Sequence, residues 1–266
     1  MQSLKGRAQT MLKRAGLYHR LRTSSIHDLY RCVADRSWIL ARDKHLDFYR
    51  RLLPELRRGD LIFDVGANEG LKADLFLRLG ARVIAIEPDE TNQAILRERF
   101  LKLRPARKPV VIVGKAVSDS DGVGSMWIDG PGSAVNTLSQ KWATTLRGNK
   151  ARHTNGHCGL DFVQHRTVET TTLEELIAMH GRPLFVKIDV EGFEPNVLIG
   201  AAKLISKFRA VVVCEVQYNT LIRNGFSADN VLSFLVEHGY EIQESFTDPR
   251  SNKGEHYLYD VIATPK

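Results

Sequence analysis

Four carboxylates in this chain stand at or beside the end of a short apolar run: Asp64 in Leu61-Ile62-Phe63-Asp64-Val65, Glu87 after Val83-Ile84-Ala85-Ile86, Asp189 after Leu184-Phe185-Val186-Lys187-Ile188, and Glu215 within Ala210 to Val216. Charged side chains prefer full solvent unless they are partnered, so packing is a poor explanation for this recurrence. The segment Gly66-Ala67-Asn68-Glu69-Gly70 follows the first of them. Gly66 and Gly70 leave backbone open to close approach, and Asn68 tolerates the left-handed region. Glu87 stands 21 positions after Gly66, where doubly wound folds bind the two hydroxyls of a ribose, and its two oxygens can accept both protons at once. These residues could bind a nucleoside-like cofactor between Gly66 and Glu87. Around Asp189 and Glu215 they could move a proton or hold a hard cation such as magnesium, with Asn219 nearby.

Plainer readings compete at each place. A Gly-bearing turn can be an ordinary strand-to-helix connection, and acidic residues such as Glu191 and Glu194 are favoured in a first helical turn by the helix dipole. Lys187 can orient a carboxylate or merely cap a strand edge. The acidic strand end at Glu87 tips the first of these choices toward cofactor binding. A conventional dinucleotide site is excluded, because Asn68 and Leu71 stand where the second and third glycines of G-x-G-x-x-G should be.

Positioning such residues requires a particular set of elements. Apolar runs predict strands near 61–65, 82–87, 110–116, 184–189 and 210–216. Helical spacing predicts helices near 70–79, 90–103, 172–180 and 194–206. That alternation argues for an α/β fold with a mostly parallel sheet and helices on both faces, its ligands lying outside the carboxyl ends of the strands. A helix at 227–238 and strands at 240–245 and 256–263 close the chain as an antiparallel pair. Residues 119–167, rich in Gly, Ser, Asn and Thr, read as an irregular insertion and a candidate acceptor loop. They include His153, His157, Cys158 and His165, but Gly156 and Gly159 oppose the helix that a metal pair would need. Residues 1–58 read as a basic, mainly helical arm, with Leu46, Tyr49, Leu52 and Leu53 forming an apolar face before Pro54.

The charge is uneven. The formal net charge is +7, yet residues 1–58 hold 14 Lys and Arg against five Asp and Glu, leaving the remaining 208 residues slightly acidic. Such an arm can contact nucleic acid or anionic lipid. Aromatic interleaving is sparse and no nucleic-acid motif appears, so nucleic acid is disfavoured as a partner, while peripheral membrane contact stays open. No stretch approaches the roughly 18 apolar residues of a membrane span, and no signal-peptide pattern opens the chain, which makes the cytoplasm the default expectation. Cys32, Cys158 and Cys214 are odd in number and widely spaced, so they indicate neither a disulfide framework nor a zinc knuckle.

The ordered motifs Phe63-Asp64-Val65-Gly66-Ala67-Asn68-Glu69-Gly70, Ala85-Ile86-Glu87-Pro88-Asp89, Lys115-Ala116-Val117-Ser118, Thr172-Leu173-Glu174-Glu175-Leu176, Lys187-Ile188-Asp189-Val190-Glu191-Gly192, Val197-Leu198-Ile199-Gly200-Ala201 and Cys214-Glu215-Val216 closely resemble the FkbM family of methyltransferases. The resemblance spans roughly residues 60–217 and departs from the usual pattern at Glu69 and Glu174. It implies a class I Rossmann-like methyltransferase fold with a mostly parallel seven-stranded sheet. It also implies S-adenosylmethionine as methyl donor and a hydroxyl of a sugar, glycan or polyketide-type product as acceptor. Carried across by position, Asp64, Gly66, Asn68 and Gly70 would line the methionine and ribose end of the cofactor. Glu87 would hold the ribose hydroxyls, and Ala116, Val117 and Ser118 would flank adenine. Asp189 is then the expected base or orienting acceptor, Glu191 the second choice and Lys187 an orienting group. Asp189 and Glu215 are candidate ligands of a metal that is not the favoured mechanism. Two other readings are a nucleic-acid-binding methyltransferase guided by the arm, for which Asp248-Pro249-Arg250 does not supply the expected amino-methylating motif, and a cofactor-binding scaffold without catalysis.

Overall fold

The computed structural model of the chain describes residues 36–102, 110–148, 162, 164–202, 205, 207, 210–217, 228–245 and 258–266. His153, His157, Cys158, Cys32 and Asn219, and the arm before residue 36, lie outside them.

The first apolar run forms β1 (Leu61–Val65), followed by α1's neighbour α2 (Leu71–Arg78), α1 itself being the preceding helix Arg36–Leu52. The alternation continues with β2 (Arg82–Ile86), α3 (Glu90–Arg97) and β3 (Val110–Val113). After an excursion from the main sheet come α5 (Leu173–His180), β7 (Phe185–Ile188), α6 (Glu194–Ile199), β8 (Val211–Gln217), α7 (Ala228–Glu237), β9 (Tyr240–Ser245) and β10 (Leu258–Pro265). The seven strands of the main sheet run β3-β2-β1-β7-β8-β10-β9. β10 pairs antiparallel with both β8 and β9, and the remaining pairings are parallel. Strand order therefore reverses between β1 and β7, which opens a crevice beyond their carboxyl ends.

Period-two alternation explains why both faces of the sheet are apolar. Leu61, Phe63 and Val65 of β1 pack with Val186 and Ile188 of β7 on one face, while Ile62 and Phe185 join the core on the other. The apolar face expected on α1 packs into this second core: Leu46, Tyr49 and Leu53 are buried. The Tyr49 ring meets Phe76 and Phe185 edge-on, with centroids 5.0 and 5.8 Å apart. Each such buried side chain contributes about 1.5–3 kcal/mol, so residues 36–52 are part of the folded body.

Two elements differ from the expectation. The strand expected over 110–116 stops at Val113, because the chain turns at Gly114, where a Cβ would lie 2.7 Å from Gln93 Oε1. Ala116–Val117 becomes β4 of a second, three-stranded sheet. The stretch read as irregular carries the rest of that sheet and a helix: β5 (Gly122–Ile128), α4 (Gln140–Gly148) and the first half of β6 (Gln164–Thr171), the strands lying in the order β4-β6-β5. β5 begins Gly-Val-Gly-Ser and is exposed along that half, and β6 is polar on both faces, so neither shows the alternation that marks a strand. Among the described residues no helix is long and apolar enough to cross a membrane.

Candidate functional site

The crevice at the switch point is built on the turn after β1. Gly66 (φ 75°), Asn68 (φ 49°) and Gly70 (φ 81°) all adopt left-handed angles. Gly66 is required twice over, since a Cβ there would fall 1.8 Å from the Asp189 carbonyl oxygen of the adjacent strand end. The bare turn lets β1 and β7 stay in contact at the point where both end, with Asp189 N–H donating to Val65 O at 3.1 Å.

Glu87 follows β2 directly. Its carboxylate accepts from Asn68 N–H at 2.8 Å and Asp89 N–H at 2.9 Å. Burial pushes its carboxyl up to about 7, against the pull of those two donors. Asp89 caps α3 through the amides of Thr91 and Asn92. The second strand end thus presents a fixed carboxylate at the crevice wall.

Asp64 and Lys187 are register partners on β1 and β7 and share the face opposite Phe63. The buried Lys187 ammonium lies 3.4 Å from Asp64 Oδ1 and 3.1 Å from Asp189 Oδ2, and it donates to Gly66 O at 2.9 Å. Asp64 is fully buried, and burial raises its carboxyl above the ordinary range despite the ammonium beside it. Lys187 is therefore an internal strut. It ties the glycine turn, the buried Asp64 and the cleft-facing Asp189 to one point.

The segment after Asp189 is held from within by Glu194, whose Oε1 accepts from Val190 N–H at 3.0 Å and Gly192 N–H at 3.1 Å. Burial pushes this carboxyl up to about 7 as well. Glu191 adopts φ 55°, a left-handed angle that costs a non-glycine residue on the order of 1–2 kcal/mol. Such strain persists only where surrounding contacts enforce it, and it concentrates at functional sites.

These elements line a solvent-open cleft. Of the residues singled out by sequence, Gly66, Asn68, Glu87, Ala116, Val117, Asp189 and Glu191 line it. Four do not reach it. Asp64 faces into the core beneath the turn, Gly70 packs under Leu96 and Phe100, Ser118 is turned toward Asp119, and Lys187 stands behind Asp189. Glu215 lies inside β8, opposite Asp260, and not at a strand end, because β8 runs on to Gln217 along β10. Among the described residues no three His, Cys, Asp or Glu side chains group as a metal site.

Sequence reasoning missed the wall formed by Ser133 to Leu138, together with Asn92, Lys115 and Phe193. Only Lys115 had a signal, through its place in the third motif. The wall belongs to a stretch without periodicity, and long-range hydrogen bonds together with the packing of Val135 against Trp142, Ala143 and Phe162 hold it at the cleft.

The donor set suits a nucleoside-bearing sulfonium such as S-adenosylmethionine. Bare backbone at Gly66 admits close approach, Glu87 offers carboxylate oxygens to hydroxyl donors, and Asn68 Oδ1 is buried without a hydrogen-bond partner.

A family model for the methyltransferase FkbM domain matches residues 64–242, more than half of the chain. Among solved structures, the methyltransferase FkbM from Methylobacillus flagellatus KT is 16% identical, with a TM-score of 0.50 over 78% of this chain and 45% of that one. Precorrin-6y C5,15-methyltransferase from Geobacter metallireducens GS-15 is 14% identical, with a TM-score of 0.44 over 84% of this chain and 87% of that one. The chain thus spans less than half the length of the FkbM structure it resembles. No curated protein matches it. The seven-stranded sheet is that of class I methyltransferases of Rossmann-like fold. Family model, motif order and strand order agree, and the chain belongs to the FkbM methyltransferase family.

Proposed function

We propose that the chain is an S-adenosylmethionine-dependent O-methyltransferase acting on a hydroxyl of a sugar, glycan or polyketide-type product. The observation that carries this reading is the Asp189 carboxylate, 29% exposed at the cleft and braced by Lys187, across from the ribose-type carboxylate Glu87. The cofactor supplies an electrophilic methyl group on a positively charged sulfur. Gly66, Asn68, Glu87, Ala116 and Val117 hold it. An alcohol attacks in line only if its proton leaves during attack, so a base within hydrogen-bond reach is needed. Asp189 accepts that proton, with Glu191 as the alternative acceptor on the same wall. Lys187 keeps the Asp189 carboxylate turned to the cleft.

The test is a methyl-transfer assay with labelled cofactor on a panel of hydroxylated acceptors. Asp189→Asn is expected to keep cofactor binding and lower turnover about 10²- to 10⁴-fold. Normal turnover by this variant removes Asp189 from the base role. Turnover is expected to survive excess chelator, and its loss would instead favour a metal held by Asp189 and Glu215.

Glu87 adds a pH dependence. Hydroxyl donors favour the ionised carboxylate, so binding lowers the carboxyl from its value of about 7. Cofactor affinity is then full above that pH and falls as pH drops through it. Calorimetry at several pH values should show this in the wild type. Glu87→Gln should bind about 10- to 100-fold more weakly, the worth of hydrogen bonds to a charged group, and without the pH dependence. A flat wild-type profile would remove Glu87 from the cofactor contacts.

A further inference from the structure

The wall from Asp129 to Leu138 is anchored on both sides of the cleft. On the cofactor side, Asp89 Oδ1 accepts from Gly132 N–H at 3.2 Å and Asp89 Oδ2 from Asn136 Nδ2 at 3.1 Å. Asp89 N–H in turn donates to Glu87. On the opposite side, the Thr137 hydroxyl donates to the Glu191 carbonyl oxygen at 2.8 Å. The proton must be the hydroxyl's, because a carbonyl oxygen only accepts, and Thr137 Oγ1 itself accepts from Ser139 N–H at 3.0 Å. Thr137 is 1% exposed, and its backbone is bridged to Trp127 of β5 by hydrogen bonds of 2.7 and 3.2 Å. A rigid element thus fixes one end of the contact. The other end is the one non-glycine residue of the turn after Asp189 that adopts a left-handed angle.

We propose that Thr137 is a positioning residue for methyl transfer: its hydroxyl holds the Val190–Gly192 turn from the cleft side, so that Asp189 and Glu191 meet the acceptor at the right distance from the cofactor. This rests on the reading of the cleft as a methyl-transfer site. Glu194 holds the amides of the same turn from inside, at Val190 and Gly192. It leaves the Glu191 carbonyl to Thr137. The two contacts together over-determine the strained turn, as backbone strain at a functional site requires. Because Asp89 and Glu87 stand at the far end of the same wall, the segment links the place of the cofactor to the place of the acceptor.

The experiment compares Thr137→Val and Thr137→Ser with the wild type in cofactor titration, steady-state kinetics and thermal melting. Valine keeps the shape and removes the donor, and serine restores the donor. Thr137→Val is expected to keep the cofactor Kd and to lower kcat about 10- to 100-fold, the scale of an ångström-level misplacement, with acceptor KM raised. Thr137→Ser is expected to recover most of kcat. Wild-type kinetics in Thr137→Val, a serine variant no better than valine, or a loss confined to cofactor Kd each overturns the proposal. A wild type that binds no cofactor overturns the underlying reading of the cleft instead.

Discussion

Gly66→Ala is expected to abolish measurable S-adenosylmethionine binding, although it adds one methyl group. The added Cβ would lie 1.8 Å from the Asp189 carbonyl oxygen and 2.9 Å from its carbonyl carbon. Both are backbone atoms, so no rotamer change relieves the contact. The φ of 75° adds about 1–2 kcal/mol for any residue with a Cβ. β1 and β7 must separate where they end, which moves the glycine turn and Asp189 together. Titration calorimetry checks the loss, and unchanged affinity would mean that the turn is not part of the cofactor site.

Lys187→Met should have the second large effect, on two quantities at once. Removing the ammonium leaves Asp64 fully buried without its cation, a loss of about 3–5 kcal/mol for a buried pair deprived of one partner. It also frees Asp189 from its brace, so turnover should fall in parallel. The double variant Asp64→Asn with Lys187→Met removes both buried charges and should recover much of the stability, since neutral replacement of a buried pair is often tolerated. It should not recover turnover, because Asp189 still lacks its support. Denaturant unfolding and kinetics on the three proteins separate these effects. Recovery of both quantities would show that Lys187 serves only to neutralise Asp64.

Much of this site was legible because its elements are local. Gly66, Asn68 and Glu87 sit on strand ends marked by unbroken apolar runs, and the spacing of Leu46, Tyr49, Leu52 and Leu53 anticipated the apolar face that α1 and the residue after it turn to the core. The role of Lys187 was only half visible. It emerges from the pairing of Asp64 with Lys187 across strands 123 positions apart, which spacing along the chain does not reveal. Asp64, which the family resemblance implies as a cofactor contact, is fully buried on the face of β1 that Ile62 turns into the core. The wall from Ser133 to Leu138 left no trace in periodicity. Its place depends on Asp89 accepting from Gly132 and Asn136, more than 40 positions away, and on Thr137 donating to Glu191. Glu215 stands one residue past Cys214, the register partner of Ile188, yet inside its strand, because β10 beside it carries β8 on to Gln217.

The measurement that bears most directly on this site is titration of the purified protein with S-adenosylmethionine, repeated with S-adenosylhomocysteine present. Saturable binding is expected, displaced by the demethylated product, weakened by Glu87→Gln and lost in Gly66→Ala. Absence of binding in the wild type, or binding indifferent to both substitutions, would contradict the assignment of the cleft between Gly66, Glu87 and Asp189 as the cofactor site.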